Sequence, residues 1–290
     1  MENRAARTAW GPMVQVALEQ LVPDEQRIVH DVLAYRLMPA VMKGLINLCR
    51  IDPLRQMALN LVDRRVPGIR GGLLCRKRYI DEKLEEALSA GVQSVVILGA
   101  GFDTRAYRLP ELASRQVYEV DLAQNIQAKQ EKLERLFGRV PVHVKLAPMD
   151  FDSQKLEDAL QQAGYSGLQP SFFIWEGVTQ YISEAAVQKV FEFLRQAPGK
   201  SQLVFTYICK DFIEGKRMYG LDVLYYQTRV QKQLWRFGLD PEAVGAFLGQ
   251  YAWKELEQVG SAEYEERYLR PLKRKMPVMQ VERAVLAERI

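Results

Sequence analysis

Val95-Val96-Ile97-Leu98-Gly99-Ala100-Gly101-Phe102-Asp103 is an apolar, β-branched run that stops at two glycines one residue apart. Four apolar residues with no polar face read as a strand covered on both sides, as in a parallel sheet. Gly99 permits a tight turn, and Gly101 lets a ligand approach backbone that has no Cβ in the way. The third glycine of the dinucleotide fingerprint is absent, its place being held by Thr104. That argues against a pyrophosphate and for a nucleoside that needs no phosphate cradle.

Downstream, strand and helix alternate. Further strands are expected at Gln116–Val120, Val140–Leu146, Ser171–Trp175 and Gln202–Tyr207, separated by helical stretches at 122–137, 153–163 and 184–197. The alternation predicts right-handed βαβ units and an open, mostly parallel α/β sheet flanked by helices. Met279–Leu286 reads as an antiparallel edge strand.

Upstream, the first ninety residues read as helical, without a strand. Apolar spacing marks helices at 12–21, from an Asp24 cap to Met38, from Ala40 to Cys49 and from Arg76 to Ala90. Breaks are expected at Arg50-Ile51-Asp52-Pro53, Val66-Pro67-Gly68 and Gly71-Gly72. Residues 210–258 read as a long helical stretch rich in Tyr, Trp and Phe. Such a stripe is either ordinary core or a cap over an apolar pocket. The expected division is therefore a helical lid at 1–90, a nucleoside-binding core at 91–209, a helical cap at 210–258 and completion of the sheet at 259–290.

Acidic residues stand where the strands end. Asp121 lies 20 residues after Gly101, where a carboxylate accepts hydrogen bonds from ribose hydroxyls. Glu119 shares its side of the strand, but the strand-end position favours Asp121. Its bland role is an N-cap for the following helix. Glu176 directly follows the apolar strand Phe172-Phe173-Ile174-Trp175, at the carboxyl edge where open α/β sheets bind ligands. Asp150, beside Phe151, offers either an acceptor and a flat face for adenine or an ordinary cap near Ser153.

The chain of 290 residues is 48% hydrophobic and 26% charged, the composition of an ordinary globular protein. A net charge of +4 from 40 basic and 36 acidic residues gives no electrostatic case for nucleic acid or membrane. No apolar stretch approaches the roughly 20 residues that span a bilayer. The three cysteines, Cys49, Cys75 and Cys209, lack metal-ligand spacing and suit a reducing compartment, so a cytoplasmic location is expected and no metal site. An oligomeric state is not legible.

Together these segments resemble the leucine carboxyl methyltransferase family, in particular its bacterial small-molecule branch. The resemblance rests on Val95–Leu109, on Arg76-Lys77-Arg78-Tyr79-Ile80-Asp81 upstream, and on Tyr118-Glu119-Val120-Asp121 and Trp175-Glu176-Gly177-Val178-Thr179-Gln180-Tyr181 downstream. It covers roughly residues 70–210 in the right order and implies a class I, Rossmann-like methyltransferase fold with S-adenosyl-L-methionine as donor. Position by position, it implies that Arg76 pairs with the donor's carboxylate and that Gly99 and Gly101 lie beneath the donor. Asp121 then holds the ribose, Asp150 and Phe151 contact adenine, and Glu176 stands near the amino-acid end. Tyr181 falls near the methyl-transfer site, and Arg105 is expected in a buried salt bridge. The match weakens at the amino terminus, where Thr8-Ala9 resembles the start of the family's first helix and Asp52-Pro53-Leu54 keeps a fragment of a motif.

Methyl transfer from a sulfonium is an in-line displacement in which orientation supplies much of the rate. A carboxylate acceptor, ionised above a pKa of about 4, needs no base, whereas a phenol near 10 gains from one. The histidines are His30, either a surface residue or a base facing the pocket, and His143, expected to be structural. The shortage of bases favours carboxyl O-methylation, and the expected reaction is methyl esterification, or another O-methylation at a hydroxyl, of a small apolar acceptor. The alternatives are a protein C-terminal carboxyl methyltransferase and an idle donor-binding regulatory protein.

Overall fold

In the computed structural model, which describes residues 10–290, the run before the glycines is β1 (Ser94–Leu98). On one side it pairs in parallel with β2 (Gln116–Asp121), which pairs in turn with β3 (Val144–Pro148). On the other it pairs with β4 (Ser171–Trp175) and then β5 (Gln202–Ile208), again in parallel. With β6 (Trp253–Val259) and β7 (Glu282–Arg289) the seven-stranded order is β3-β2-β1-β4-β5-β7-β6, β7 running antiparallel to both neighbours.

Burial on both faces explains the apolar strands. Val95, Ile97, Val117, Phe172, Ile174 and Val204 point into a core shared with the amino-terminal helices, while Val96, Leu98, Tyr118, Val120, Phe173 and Trp175 point into the other. That is the period of two expected of a strand. Residues 10–90 form α1 (Trp10–Glu19), α2 (Val32–Leu37), α3 (Ala40–Leu48), α4 (Asp52–Arg65) and α5 (Ile69–Ser89). The short α6 (Arg105–Arg108) follows the glycine turn, and α7 (Ala123–Phe137), α8 (Leu156–Gln162) and α9 (Glu184–Leu194) are crossovers.

The structure departs from the sequence-based expectation in several places. Gly71-Gly72 does not break a helix, because α5 runs straight through it. A Cβ at Gly71 would collide with the Pro277 carbonyl, and one at Gly72 would touch Met279 Cβ at 3.4 Å, so these glycines let residues 277–279 pack on the helix. Only a single 3-10 turn, Asp24–Gln26, forms at Asp24; Asp31 caps α2 instead, its carboxylate accepting from Ala34 N at 3.0 Å. Residues 210–258 are not one long helix but α10 (Lys210–Ile213), α11 (Asp222–Tyr225), a π-turn (Tyr226–Gln231), α12 (Val244–Gly249) and most of β6. Consequently β7 is an interior strand rather than the edge, with Ala284, Val285 and Ala287 fully buried.

The strand order reverses at β1, whose neighbours β2 and β4 are reached in opposite directions. Ligands of open α/β sheets bind in the crevice outside the carboxyl ends at such a point. Leu98 and Trp175 end β1 and β4 there, so Gly99–Asp103 and Glu176 face one another across the crevice.

Candidate active site

Gly99 and Gly101 both adopt positive φ, +71° and +43°. At Gly99 a side chain is excluded twice, since its Cβ would also overlap Val178. The turn is pinned from β2: Gly99 N and Ala100 N donate to Val120 O at 2.7 and 3.0 Å, and Gly101 N donates to Asp121 Oδ2 at 2.6 Å. Asp121 Oδ1 accepts from Leu122 N and Asn125 Nδ2, both at 2.7 Å. Three of a carboxylate's roughly four acceptor sites are thus filled, leaving about one for a ligand hydroxyl.

Opposite stands a buried ionic network. Arg105, fully buried, donates to Asp81 at 2.6 Å and Glu176 at 2.7 Å and also pairs with Asp103. Arg76 donates from Nε to Glu176 at 2.8 Å and from Nη1 to both oxygens of Glu282 at 2.6 and 2.8 Å. Arg108 holds the second oxygen of Asp81 at 2.5 Å, and Thr104 Oγ1 donates to Asp31 at 2.5 Å, with Lys77 Nζ 3.7 Å from the same carboxylate. Burial opposes ionisation of Glu176, but the Arg105 and Arg76 guanidinium groups outweigh it and hold the carboxyl down at about 2. Asp103 is likewise held below the ordinary carboxylate range, burial being overcome by Arg105. The carboxylates Asp31, Asp81, Asp103, Glu176 and Glu282 face the cations Arg76, Lys77, Arg105 and Arg108, an excess of one negative charge.

Between turn and network lies a cavity of about 630 Å³, inside the range of about 300–1,000 Å³ common for small-molecule sites. One end is lined by Gly99–Asp103, Asp121, Asp150 and Phe151; the other is apolar, with Ile69, Ile208, Leu224, Trp235 and Met279. Val62 and Val66 from α4 and its exit, and Gln227 and Thr228 from the π-turn, cover it. Gln15 Oε1 and Gln180 Oε1 are buried with no hydrogen-bond partner among the described residues, and both residues line the cavity. Buried acceptors left unpaired cost about 1–3 kcal/mol, so their place on a cavity wall is where a ligand donor belongs.

The leucine carboxyl methyltransferase family profile matches residues 9–195 of the chain. The chain belongs to the leucine carboxyl methyltransferase family. A protein of Mycobacterium avium (strain 104) named "Putative S-adenosyl-L-methionine-dependent methyltransferase" is 28% identical over 217 residues, 71% of this chain and 67% of that protein. One of the same name from Mycobacteroides abscessus is 32% identical over 59% of this chain and 56% of its own length. Among solved structures, a "putative methyltransferase" from Thermobifida fusca superposes with a TM-score of 0.57 at 15% identity, over 94% of this chain and 97% of that one. A DUF574 family protein from Streptomyces avermitilis gives 0.52 at 12% identity, over 82% and 91%. The seven-stranded sheet is the class I methyltransferase fold.

Within this family member the structure gathers Arg76, Gly99, Gly101, Asp121, Asp150, Phe151, Glu176 and Tyr181 around one cavity. Tyr181 sits in the turn after β4, its ring edge-on to Trp235 with centroids 6.4 Å apart. Asp150 is no helix cap; its carboxylate accepts from Asp152 N at 3.0 Å, and α8 begins at Leu156. Glu119 is not in the site: it is fully buried against Lys129 Nζ and the Tyr107 hydroxyl, each at 2.7 Å. His30 just precedes α2 and is itself exposed, between buried Val29 and Asp31, outside the cavity lining and with its Nδ1 3.5 Å from Arg27. His143 sits just ahead of β3, within 2.9 Å of the Ala106 carbonyl. Thr8-Ala9 lies outside the described residues. Sequence reasoning did not single out Asp31, Gln15, Gln180 or Glu282. Asp31 alone carried a local signal, an aspartate just before an apolar helical segment.

Proposed function

We propose that this chain, a methyltransferase using S-adenosyl-L-methionine, methylates a carboxylate or hydroxyl oxygen of a small apolar molecule. The observation that carries the reading is the single cavity that joins the glycine turn to an apolar, aromatic chamber under the 52–66 and 221–235 segments.

The residues present fit the donor. S-adenosyl-L-methionine bears a sulfonium, an ammonium and a carboxylate, hence one net positive charge, opposite to the excess of the ionic network. Gly99 and Gly101 keep the cavity floor free of Cβ atoms, Asp121 holds a remaining acceptor site for a ribose hydroxyl, and Phe151 offers a flat apolar face. Arg76 presents Nη2, which carries no hydrogen bond among the described residues, for a carboxylate. When bound, the donor supplies a methyl group on an electron-poor sulfur for in-line displacement.

The chain's own contribution is orientation and exclusion of water. Trp235, Leu224 and Ile208 hold an apolar body, and Tyr181, edge-on to Trp235, lines the same cavity. No histidine lines it, and Glu176 and Asp103, with depressed pKa values, are poor bases. That favours an acceptor already ionised. A donor-dependent assay across aliphatic and aromatic acids, phenols and amines tests the reading. Transfer to acids is expected, with a rate flat from about pH 6 to 9 because an ordinary carboxyl ionises near 4. Transfer confined to nitrogen or carbon, or only to peptide C-termini, refutes it.

A further inference from the structure

Seven of the sixteen large apolar side chains exposed among the described residues fall within residues 41–61, on or beside two consecutive helices. On α3, Val41 (77% exposed), Leu45 and Leu48 form a stripe at i, i+4, i+7; its joint to α4 exposes Ile51. On α4, Leu54, Met57 (65% exposed) and Leu61 form another, opposite buried Leu59. Exposed apolar side chains concentrated in this way on consecutive helices mark an interaction surface.

The charges around the stripes identify the partner's chemistry. At about 3.6 residues per turn, Arg64 and Arg65 fall on either side of the Leu54–Met57–Leu61 stripe. Arg50 stands at the joint and Arg36 at the end of α2, all four exposed and without an ion pair among the described residues. The acidic residues of α4 are already paired, Asp52 with Arg55 and Asp63 with Arg70 at 3.6 Å. A second copy of this chain placed on the face by a two-fold axis would bring like charges together, which costs affinity. An apolar stripe bordered by unpaired arginines matches an anionic bilayer surface, where apolar side chains enter the headgroup boundary and arginines meet phosphate.

We propose that the outer face of α3 and α4 docks on an anionic lipid surface. Among the described residues no helix is long and apolar enough to cross a membrane, and the contact is interfacial. The composition-based expectation of no membrane partner averaged over the chain, whereas the cations here are local. Because Val62, Arg65 and Val66 of the same segment line the cavity, docking brings its cover to the lipid interface. The docking stands independently of which atom is methylated.

Co-sedimentation of the full chain with vesicles of phosphatidylcholine, alone or mixed with phosphatidylserine, tests this. The chain is expected to pellet with the mixed vesicles and stay in solution with the neutral ones. Arg50→Gln/Arg64→Gln is expected to lower the partition coefficient about 25-fold, roughly fivefold per cation. Leu45→Glu/Met57→Glu is expected to abolish pelleting while leaving the thermal unfolding midpoint unchanged, since both side chains face solvent. No pelleting of the native chain, equal pelleting with neutral vesicles, or retained pelleting of Leu45→Glu/Met57→Glu overturns the proposal. So does a dimer in sedimentation velocity that the same variant dissociates, which assigns the face to a second copy.

Discussion

Glu176→Gln removes the central negative charge of the site while keeping its shape and one acceptor oxygen. The native side chain is 15% exposed and bridges Arg76 and Arg105. Lowering its carboxyl from 4.5 to about 2 corresponds to about 3 kcal/mol of stability at neutral pH, at about 1.4 kcal/mol per tenfold change. Neither guanidinium is orphaned in the variant, because Arg76 keeps Glu282 and Arg105 keeps Asp81 and Asp103. The loss therefore belongs at the low end of the 3–5 kcal/mol typical of breaking a buried pair, about 3. A carboxyl depressed on folding contributes fully above its unfolded pKa and loses that contribution as pH falls through the folded one. The native-minus-variant difference in urea-unfolding free energy should thus be constant above about pH 5 and shrink by about 1.4 kcal/mol per pH unit below about 4.5. A difference that stays flat from pH 6 to about 3.5 refutes the electrostatic account of this residue.

Gly99→Ala forces a side chain into left-handed backbone and against Val178, and should cost about 2 kcal/mol or more in chemical denaturation together with donor affinity in calorimetry. Asp31→Ala removes the α2 cap and the partner of Thr104, with an expected loss of about 2 kcal/mol; Asp31→Asn should recover the cap share. Tyr181→Phe is expected to lower kcat/KM for the acceptor about tenfold while leaving S-adenosyl-L-homocysteine affinity unchanged, and equal effects on both would place the hydroxyl elsewhere. Burial pushes the Cys75 thiol up to about 12 and Cys209 to about 11, so at pH 8 about one in a thousand or fewer is thiolate. Mass spectrometry after brief alkylation of the native chain should find Cys49 modified well ahead of both.

What the sequence made legible follows from where each element sits. β1, β2, β4 and β5 are buried on both faces, so they are predominantly apolar, with Glu119 in β2 and Thr206 in β5 among the buried polar exceptions, and their limits match to within a residue. β3 and β6 are edge strands: β3 begins at Val144 rather than the expected Val140 and buries only Val144 and Ala147, and Trp253–Val259 carries Lys254, Glu255 and Glu257. Solvent on the open side permits such residues, which erases the apolar signal, and the aromatic rings before β6 suggested a helix instead. β7, rich in Ala and Glu, is interior because it pairs with β5 on one side and β6 on the other. Gly71-Gly72 misled for a reason no local rule contains, the close approach of residues about 200 positions away. In the site, strand-end residues Asp121 and Glu176 were legible because topology alone puts them at the crevice. Glu282, Gln15 and Gln180 were not, since their roles arise from pairing or cavity walls created by the fold.

The central claim is that the donor lies over the glycine turn with its ribose against Asp121. Isothermal titration of S-adenosyl-L-homocysteine into the native chain and Asp121→Ala tests it most directly, with cooperative thermal unfolding as the check that the variant is folded. One-site binding by the native chain is predicted, and because a hydrogen bond to a charged group is worth about 1.5–3 kcal/mol, Asp121→Ala should bind roughly ten- to a hundredfold more weakly. Absence of binding by the native chain, or equal affinity for a folded Asp121→Ala, would contradict it.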